Sequence, residues 1–421
     1  MGDRAVILGP ADKSFPPASW GSDLATFLTT RPRLSSFQTP LLTLDRAALT
    51  HNTATMMRWV TNHRLQLAPH GKTTMAPALW SELLDAGAWG LTLATPWQAQ
   101  VARAAGVRRI MIANAVTDPV ALTWLSQECD RHPEVDLICW VDSTTTVARM
   151  DHILARAGGV RRIPVIVELG AAGGRTGVRD LAEAADLAAV VVGSNHLELA
   201  GVGGYEGSLA HDRAPASLAR IDAYLDQIAA LVAATRPLIK ERRPVVTAGG
   251  SAYFDRVAAR LGHLDHVDVV LRSGAFQVHD DGFYRGISPM GSVSGETSFL
   301  SAMHAWVRVV SRPEPGLALL DGGKRDLSFD EGLPNPQRVL GCPAATSQRL
   351  LTGSSITALN DQHAFLRLGP QASADHLPVG TVLRLGLSHP CTALDRWRLI
   401  PVVADHKAAD PVITDAIRTI F

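Results

Sequence analysis

From Thr39 onward, short apolar runs alternate along the chain with stretches whose apolar positions recur every three or four residues. Leu41-Leu42-Thr43-Leu44 reads as a strand, and Asp45 then caps a helix running towards His63. Leu65 and Leu67 alternate into a second run that stops at Pro69, and a helix follows over about 76–86, ended by Gly87. The two periods then keep exchanging. Strands are expected at 90–94, 109–113, 136–141, 163–169, 197–202, 244–247 and 267–271. Helices are expected from Pro96, Asp118, Ser143 and Arg179, over 212–235, and briefly after 247. Counted from the strand before Pro69, that is eight strands, rich in Val and Ile. Such alternation means a parallel sheet covered by helices. Eight units in about 250 residues predict a closed (β/α)8 barrel, with an open doubly wound sheet as the alternative.

Past Gly286 the helical period fades. Strand-like runs at 301–310, 317–320, 365–368, 381–387 and 397–403 are separated by Pro and Gly turns. The expected division is therefore an irregular, proline-bearing arm over 1–38, a barrel over 39–286 and a mainly β domain over 287–421.

Composition narrows the partners. The 40 basic and 40 acidic side chains cancel, which argues against an electrostatic nucleic-acid or membrane binder and suits a small neutral or zwitterionic substrate. Cys129, Cys139, Cys342 and Cys391 show no paired spacing, so a reduced, cytoplasmic protein is expected. Neither a signal peptide nor an uninterrupted apolar run of about 20 residues is seen.

The candidate chemistry falls where a barrel keeps its reactive groups, at the C-terminal ends of strands. Lys72 follows the first strand, and a lysine there can be a surface residue or a Schiff-base amine. Gly173-Gly174-Arg175-Thr176-Gly177 follows the fifth strand, Gly203-Gly204-Tyr205-Glu206-Gly207 the sixth, and Arg272-Ser273-Gly274 the eighth. After the seventh, Gly249-Gly250-Ser251 reads as a turn or as an anion cradle of backbone N–H groups. Singly, Arg175 fits a surface ion pair and Tyr205 a packed rim residue. Gathered at one barrel mouth, the lysine, cradle, arginine and tyrosine suit pyridoxal phosphate.

Pro69-His70-Gly71-Lys72-Thr73, Gly174-Arg175-Thr176-Gly177, Gly204-Tyr205-Glu206-Gly207 and Gly249-Gly250-Ser251 together resemble the D-threonine aldolase and D-serine dehydratase family, which has the alanine-racemase-like fold. The likeness continues through Leu320-Asp321-Gly322-Gly323-Lys324 and Asn360-Asp361-Gln362-His363 to Ser388-His389-Pro390-Cys391. It implies Lys72 as the aldimine lysine, and Lys72 and Arg175 as catalytic residues. It also implies Arg175 and Tyr205 facing the cofactor and residues 249–251 on its phosphate. His389 and Cys391, two apart in a strand-like run, read on residue type alone as a coincidence or as two Zn²⁺ ligands. The family carries a His-x-Cys or His-x-Asp metal pair here, which implies a divalent ion, Zn²⁺ first, with Mn²⁺ or Mg²⁺ as alternatives. His70 stacks by the cofactor or packs beneath it. Asp321, Lys324 and His363 border the pocket or form turns, and Trp397 and Arg398 are structural.

The implied activity is a lyase acting on D-β-hydroxy amino acids. Breaking Cα–H and expelling the β-hydroxyl gives an oxo acid and ammonia; breaking Cα–Cβ gives glycine and an aldehyde. A cysteine as second metal ligand resembles the dehydratases. A non-catalytic cofactor carrier of the barrel type is disfavoured by the β domain and the metal pair. A racemase would need an opposing tyrosine from the β domain, and no tyrosine follows Tyr284. The likeness further implies a homodimer whose β domain helps close the partner's barrel mouth.

Overall fold

Strand pairing divides the chain into two sheets in the computed structural model, which describes residues 5–290, 298–372 and 376–421. The first strand, β1 (Leu41–Asp45), belongs to the second sheet. The first sheet holds β2 (Gln66–Leu67), β3 (Leu91–Leu93), β4 (Arg109–Ala115), β5 (Asp136–Val141), β6 (Ile163–Glu168), β7 (Leu197–Gly203), β8 (Val245–Ala248) and β9 (Asp268–Leu271), all parallel. Its order runs β2-β9-β8-β7-β6-β5-β4-β3. A bridge between His70 and Thr92, with Trp89 N–H donating to Leu67 O at 2.7 Å, joins the two ends and closes the barrel.

Side chains alternate across the barrel wall. On β5, Ile138 and Trp140 join the inner cluster of Ala68, Met111, Ile166, Ala200, Val245 and Val270. Leu137, Cys139 and Val141 point the other way, into the layer beneath the helices. Both faces are thus apolar, as a parallel sheet requires. The helices begin where the sequence places caps. Asp45, Thr95, Asp118, Ser143 and Asp180 each accept a backbone N–H of the first turn.

The second sheet is built from β10 (Met303–Glu314), β11 (Leu317–Leu320), β12 (Asn335–Val339), β13 (Ser355–Leu359), β14 (Ala364–Arg367), β15 (Val382–Gly386), β16 (Leu399–Val403) and β17 (Ile413–Arg418), together with β1. The sequence pattern places β1 with the barrel segment. Instead it lies antiparallel to β10 and parallel to β16. All five of its residues are buried. A strand with no exposed face suits the middle of either sheet, and only tertiary pairing decides between them. The strands β12, β13 and β17 and the helix Ala344–Leu351 were not expected from the pattern.

The arm is less irregular than its prolines suggest. It carries a helix, Leu24–Thr29, capped by Asp23. Leu8, Phe15, Leu34 and Phe37 pack on Trp306, Val403 and Ile413 of the second sheet. No helix among the described residues is long and apolar enough to cross a membrane.

Candidate active site

A cavity of about 180 Å³ opens at the C-terminal ends of the barrel strands. His70, Lys72, Arg175, Tyr205, Gly250, Ser251, His389 and Cys391 all line it, so residues more than 300 positions apart meet at one place. Lys72 sits in a 3-10 turn, Gly71–Thr73, just past the β2 run. That turn is pinned from beneath by the Trp80 indole, whose N–H donates to Gly71 O at 3.1 Å. The Nδ1 of half-buried His70 is itself buried and has no partner. Burial, then the charges of Lys72, Arg272 and Arg175, push the His70 pKa well below 6.5, so the ring is neutral.

Arg175 is presented by a loop that is tied at both ends. Leu169 bridges Val178, and Thr176 Oγ1 donates to Glu168 Oε1 at 2.9 Å. Arg179 holds the loop from outside, donating to Thr176 O at 2.7 Å and Arg175 O at 2.8 Å. The Arg175 guanidinium lies 5.1 Å from the Tyr205 ring centre. Tyr205 N–H in turn donates to the Tyr224 hydroxyl, which donates to Leu169 O at 2.6 Å. Two strand-end loops are thereby locked together.

The expected anion cradle differs in detail. Gly249 N–H and Gly250 N–H donate to the buried Glu206 carboxylate at 2.9 and 2.7 Å. Gly249 does not line the cavity; with φ at +93° it turns the chain, and its N–H is already satisfied. What faces the cavity is Gly250, its N–H spent on Glu206, and Ser251, together with Gly274 and Ala275 of the neighbouring loop. Ala275 N–H donates to Ser251 Oγ at 3.2 Å, joining the two loops. A Cβ on Gly274 would meet His70 O at 2.6 Å, so backbone approaches backbone here.

Reading the sequence missed Arg272 as a site residue, although its loop was visible at the eighth strand end. It is buried on the cavity wall, donating to Thr247 Oγ1 at 2.7 Å and Gly204 O at 2.6 Å, above the Trp140 ring. Burial lowers its pKa, partly offset by Glu206, Tyr224 and Glu168. Tyr284 also lines the cavity, its ring centre 6.5 Å from that of His389. A lack of suitable tyrosines is therefore no argument against racemase chemistry. Tyr284 stands in a five-residue helix, Phe283–Ile287, that no sequence motif marks.

His389 and Cys391 close the far side, though not as same-side residues of a strand. His389 has φ of 55° and precedes a short helix, Pro390–Leu394, which carries Cys391. Asp280 fixes the bend by accepting His389 N–H at 2.8 Å. His389 Nδ1 contacts Asp330 Oδ2 at 2.5 Å, and Thr392 donates to the other Asp330 oxygen at 2.7 Å. A carboxylate on one ring nitrogen, leaving the other for a ligand, is the usual support of a metal-binding histidine. Cys391 Sγ donates to Thr73 Oγ1 at 3.4 Å, beside Lys72. Burial pushes the thiol up, but His389, Thr73 and the Lys72 charge outweigh it, so its pKa is lowered. The Cys391 partnership, with Asp330, raises His389 to about 9.

Of the remaining candidates, Asp321 accepts from the Thr39 hydroxyl at 2.6 Å and Arg308 N–H at 2.7 Å. Lys324 lies over Phe329, and His363 is exposed in a turn with its carbonyl on Asn360 N–H. None of the three lines the cavity. Trp397 is buried and donates to Asp326 O at 3.2 Å, a packing role.

The residues present fit pyridoxal phosphate. His70 Nδ1 and Trp140 Nε1 are buried polar atoms without partners in the cavity wall, and two arginines and two close-approach glycines surround the one lysine. Thiolate and imidazole beside them are a donor set for a borderline-soft divalent ion.

A family model described as a serine dehydratase domain matches residues 302–403. The chain is 29% identical over 379 residues to D-threonine aldolase of Arthrobacter sp., covering 89% of this chain and 88% of that one. It is 25% identical over 375 residues to D-threo-3-hydroxyaspartate dehydratase of Delftia sp. (strain HT23), covering 85% and 92%. The crystal structure of D-threonine aldolase from Filomicrobium marinum superimposes with a TM-score of 0.76 at 25% identity, covering 92% of this chain and 96% of that one.

Proposed function

Because the chain belongs to the D-threonine aldolase and D-serine dehydratase family, with its alanine-racemase-like fold, we propose that it is a pyridoxal phosphate- and metal-dependent lyase of D-β-hydroxy amino acids, acting on D-serine or D-threonine to release oxo acid and ammonia. One observation carries the reading: Lys72 and the His389–Cys391 pair line the same cavity, linked by the Cys391–Thr73 hydrogen bond.

Pyridoxal phosphate, held through Lys72, supplies an electron sink for a bond broken at Cα, and a divalent ion on His389 and Cys391 supplies Lewis acidity for the β-hydroxyl. The rest is work for the protein. Ser251 and Gly274 are the groups placed to hold a phosphate, with Ala275 N–H bracing the Ser251 hydroxyl. Arg272, held by Thr247 and Gly204, and Arg175, held against Tyr205, give the cavity fixed positive charge where anionic edges must sit. Neutral His70 fills the floor beside Lys72 without adding a competing charge. Lys72 Nζ is the group that takes the proton from Cα on the face it occupies. Asp330 holds the imidazole in the orientation that turns its free nitrogen towards Cys391.

The cysteine at the second ligand position, which resembles the dehydratases of the family, supports elimination as the first reading. Aldol cleavage to glycine and an aldehyde is the second reading, supported by the likeness to the Arthrobacter aldolase. A homodimer and a cytoplasmic location complete the proposal. The deciding experiment incubates the purified protein with D-serine and D-threonine, and with their L-enantiomers. Oxo acid and ammonia from the D-substrates alone is the expected outcome. Glycine with aldehyde selects the second reading, and equal turnover of both enantiomers overturns the stereochemical assignment.

A further inference from the structure

We infer that a second cavity, where the barrel meets the β sheet, binds a small zwitterionic amino acid. The cavity measures about 580 Å³ and shares no lining residue with the active site. Asp281 and Arg285 reach it from the segment after β9, His304 from β10, Gln337 from β12, Arg384 from β15, and Lys407 from the loop after β16. The lyase reading plays no part in the argument.

Four polar atoms on these walls are buried without a hydrogen-bond partner: Asp281 Oδ2, His304 Nδ1, Gln337 Oε1 and Arg384 Nε. A buried orphan is destabilising and uncommon, so four on one cavity point to an occupant that pairs with them. His304 is only 2% exposed. The strand register explains the gathering. His304 lies opposite Gly386, two residues along the ladder from Arg384 and on the same face of β15. Gly386 leaves the space open, since a Cβ there would collide with the Gln337 amide and with Asp281.

The chemistry of the walls selects the ligand. Asp280 also borders the cavity, but its oxygens are taken by the backbone N–H groups of Gly282, Arg285 and His389. Arg285 donates to Asp281 Oδ1 at 3.4 Å, which leaves Asp281 Oδ2 against the Arg384 and Lys407 cations, with His304 held neutral by burial. Arg384 Nε is a free donor suited to a carboxylate, and His304 Nδ1 is free to donate beside it. Asp281 Oδ2 and Gln337 Oε1 are free acceptors suited to an ammonium group. The 3.7 Å between His304 Nε2 and Asp281 Oδ2 is too long for them to satisfy each other. A simple carboxylate would leave the acceptors unpaired, and a metal ion would sit against the Arg384 guanidinium. A molecule with both an ammonium and a carboxylate satisfies both sets.

Holoenzyme reduced with borohydride, which blocks the active-site cavity, is dialysed against radiolabelled glycine. Saturable binding of about one glycine per chain is expected, weakened about ten-fold or more by Arg384→Gln and by Asp281→Asn. Acetate and methylammonium should each compete about ten-fold less well than glycine. If Arg384→Gln does not fold, Asp281→Asn and Gln337→Met decide alone. No saturable binding, binding indifferent to the substitutions, or acetate competing as well as glycine would each overturn the assignment. Failure here leaves the lyase reading untouched, because that reading is judged on turnover.

Discussion

Single atoms control the catalytic cavity. Lys72 is its one lysine, and Lys72→Ala should cut turnover by about 10²–10⁴-fold through loss of the proton carrier. Mass spectrometry after borohydride treatment checks the attachment directly, since the reduced pyridoxyl group should map to the peptide bearing Lys72. Label on another lysine would refute the assignment. Gly274 offers a steric test. Its added methyl would press on the His70 backbone, which cannot swing aside as a side chain can. Gly274→Ala should therefore lose about 1–3 kcal/mol of stability in a urea titration and bind pyridoxal phosphate more weakly. An unchanged midpoint would mean that the two loops are further apart than described.

At the scale of elements, the junction after β1 ties the two sheets together. The Asp45 carboxylate caps the following helix at Ala48 N–H (2.7 Å) and accepts His406 N–H (2.8 Å) from the loop after the neighbouring strand β16. Burial raises its pKa, yet these bonds and the His406 ring outweigh that, so the pKa is lowered below 3.8. The stabilisation is thus complete above the unfolded value and lost as pH falls through the lower folded one. Asp45→Asn should cost about 1–2 kcal/mol at pH 7, and wild type and variant should converge at the acid end. A gap that persists under acid would show that charge is not the cause.

Local pattern also explains what the amino-acid sequence made legible. The barrel strands and their caps were readable because each is a short-range signal: an apolar run, a turn, an Asp or Ser before a helix. Lys72, Arg175 and Tyr205 were readable because glycine-rich loops flag strand ends. The sheet that β1 joins was not, since a fully buried strand carries no mark of its neighbours. Nor was the left-handed bend at His389, which Asp280 imposes from about a hundred positions away. Arg272 escaped for a similar reason: its partners are Thr247 on β8 and Gly204 just past β7.

On the scale of the whole molecule, the active site exists only because barrel and β sheet are held face to face. The barrel contributes the lysine, both arginines and the loops proposed to hold the phosphate, while the sheet side contributes His389 and Cys391. Cys391→Ala should therefore leave the visible absorbance of the bound cofactor while abolishing turnover, since it removes a proposed metal ligand and only one weak contact, to Thr73, on the lysine side. The most direct measurement follows absorbance, metal content and D-serine turnover together as the holoenzyme is chelated and then reloaded with Zn²⁺. Turnover should fall with metal content to zero, return on reloading, and leave the cofactor absorbance constant throughout. Full turnover in metal-free protein would contradict the account.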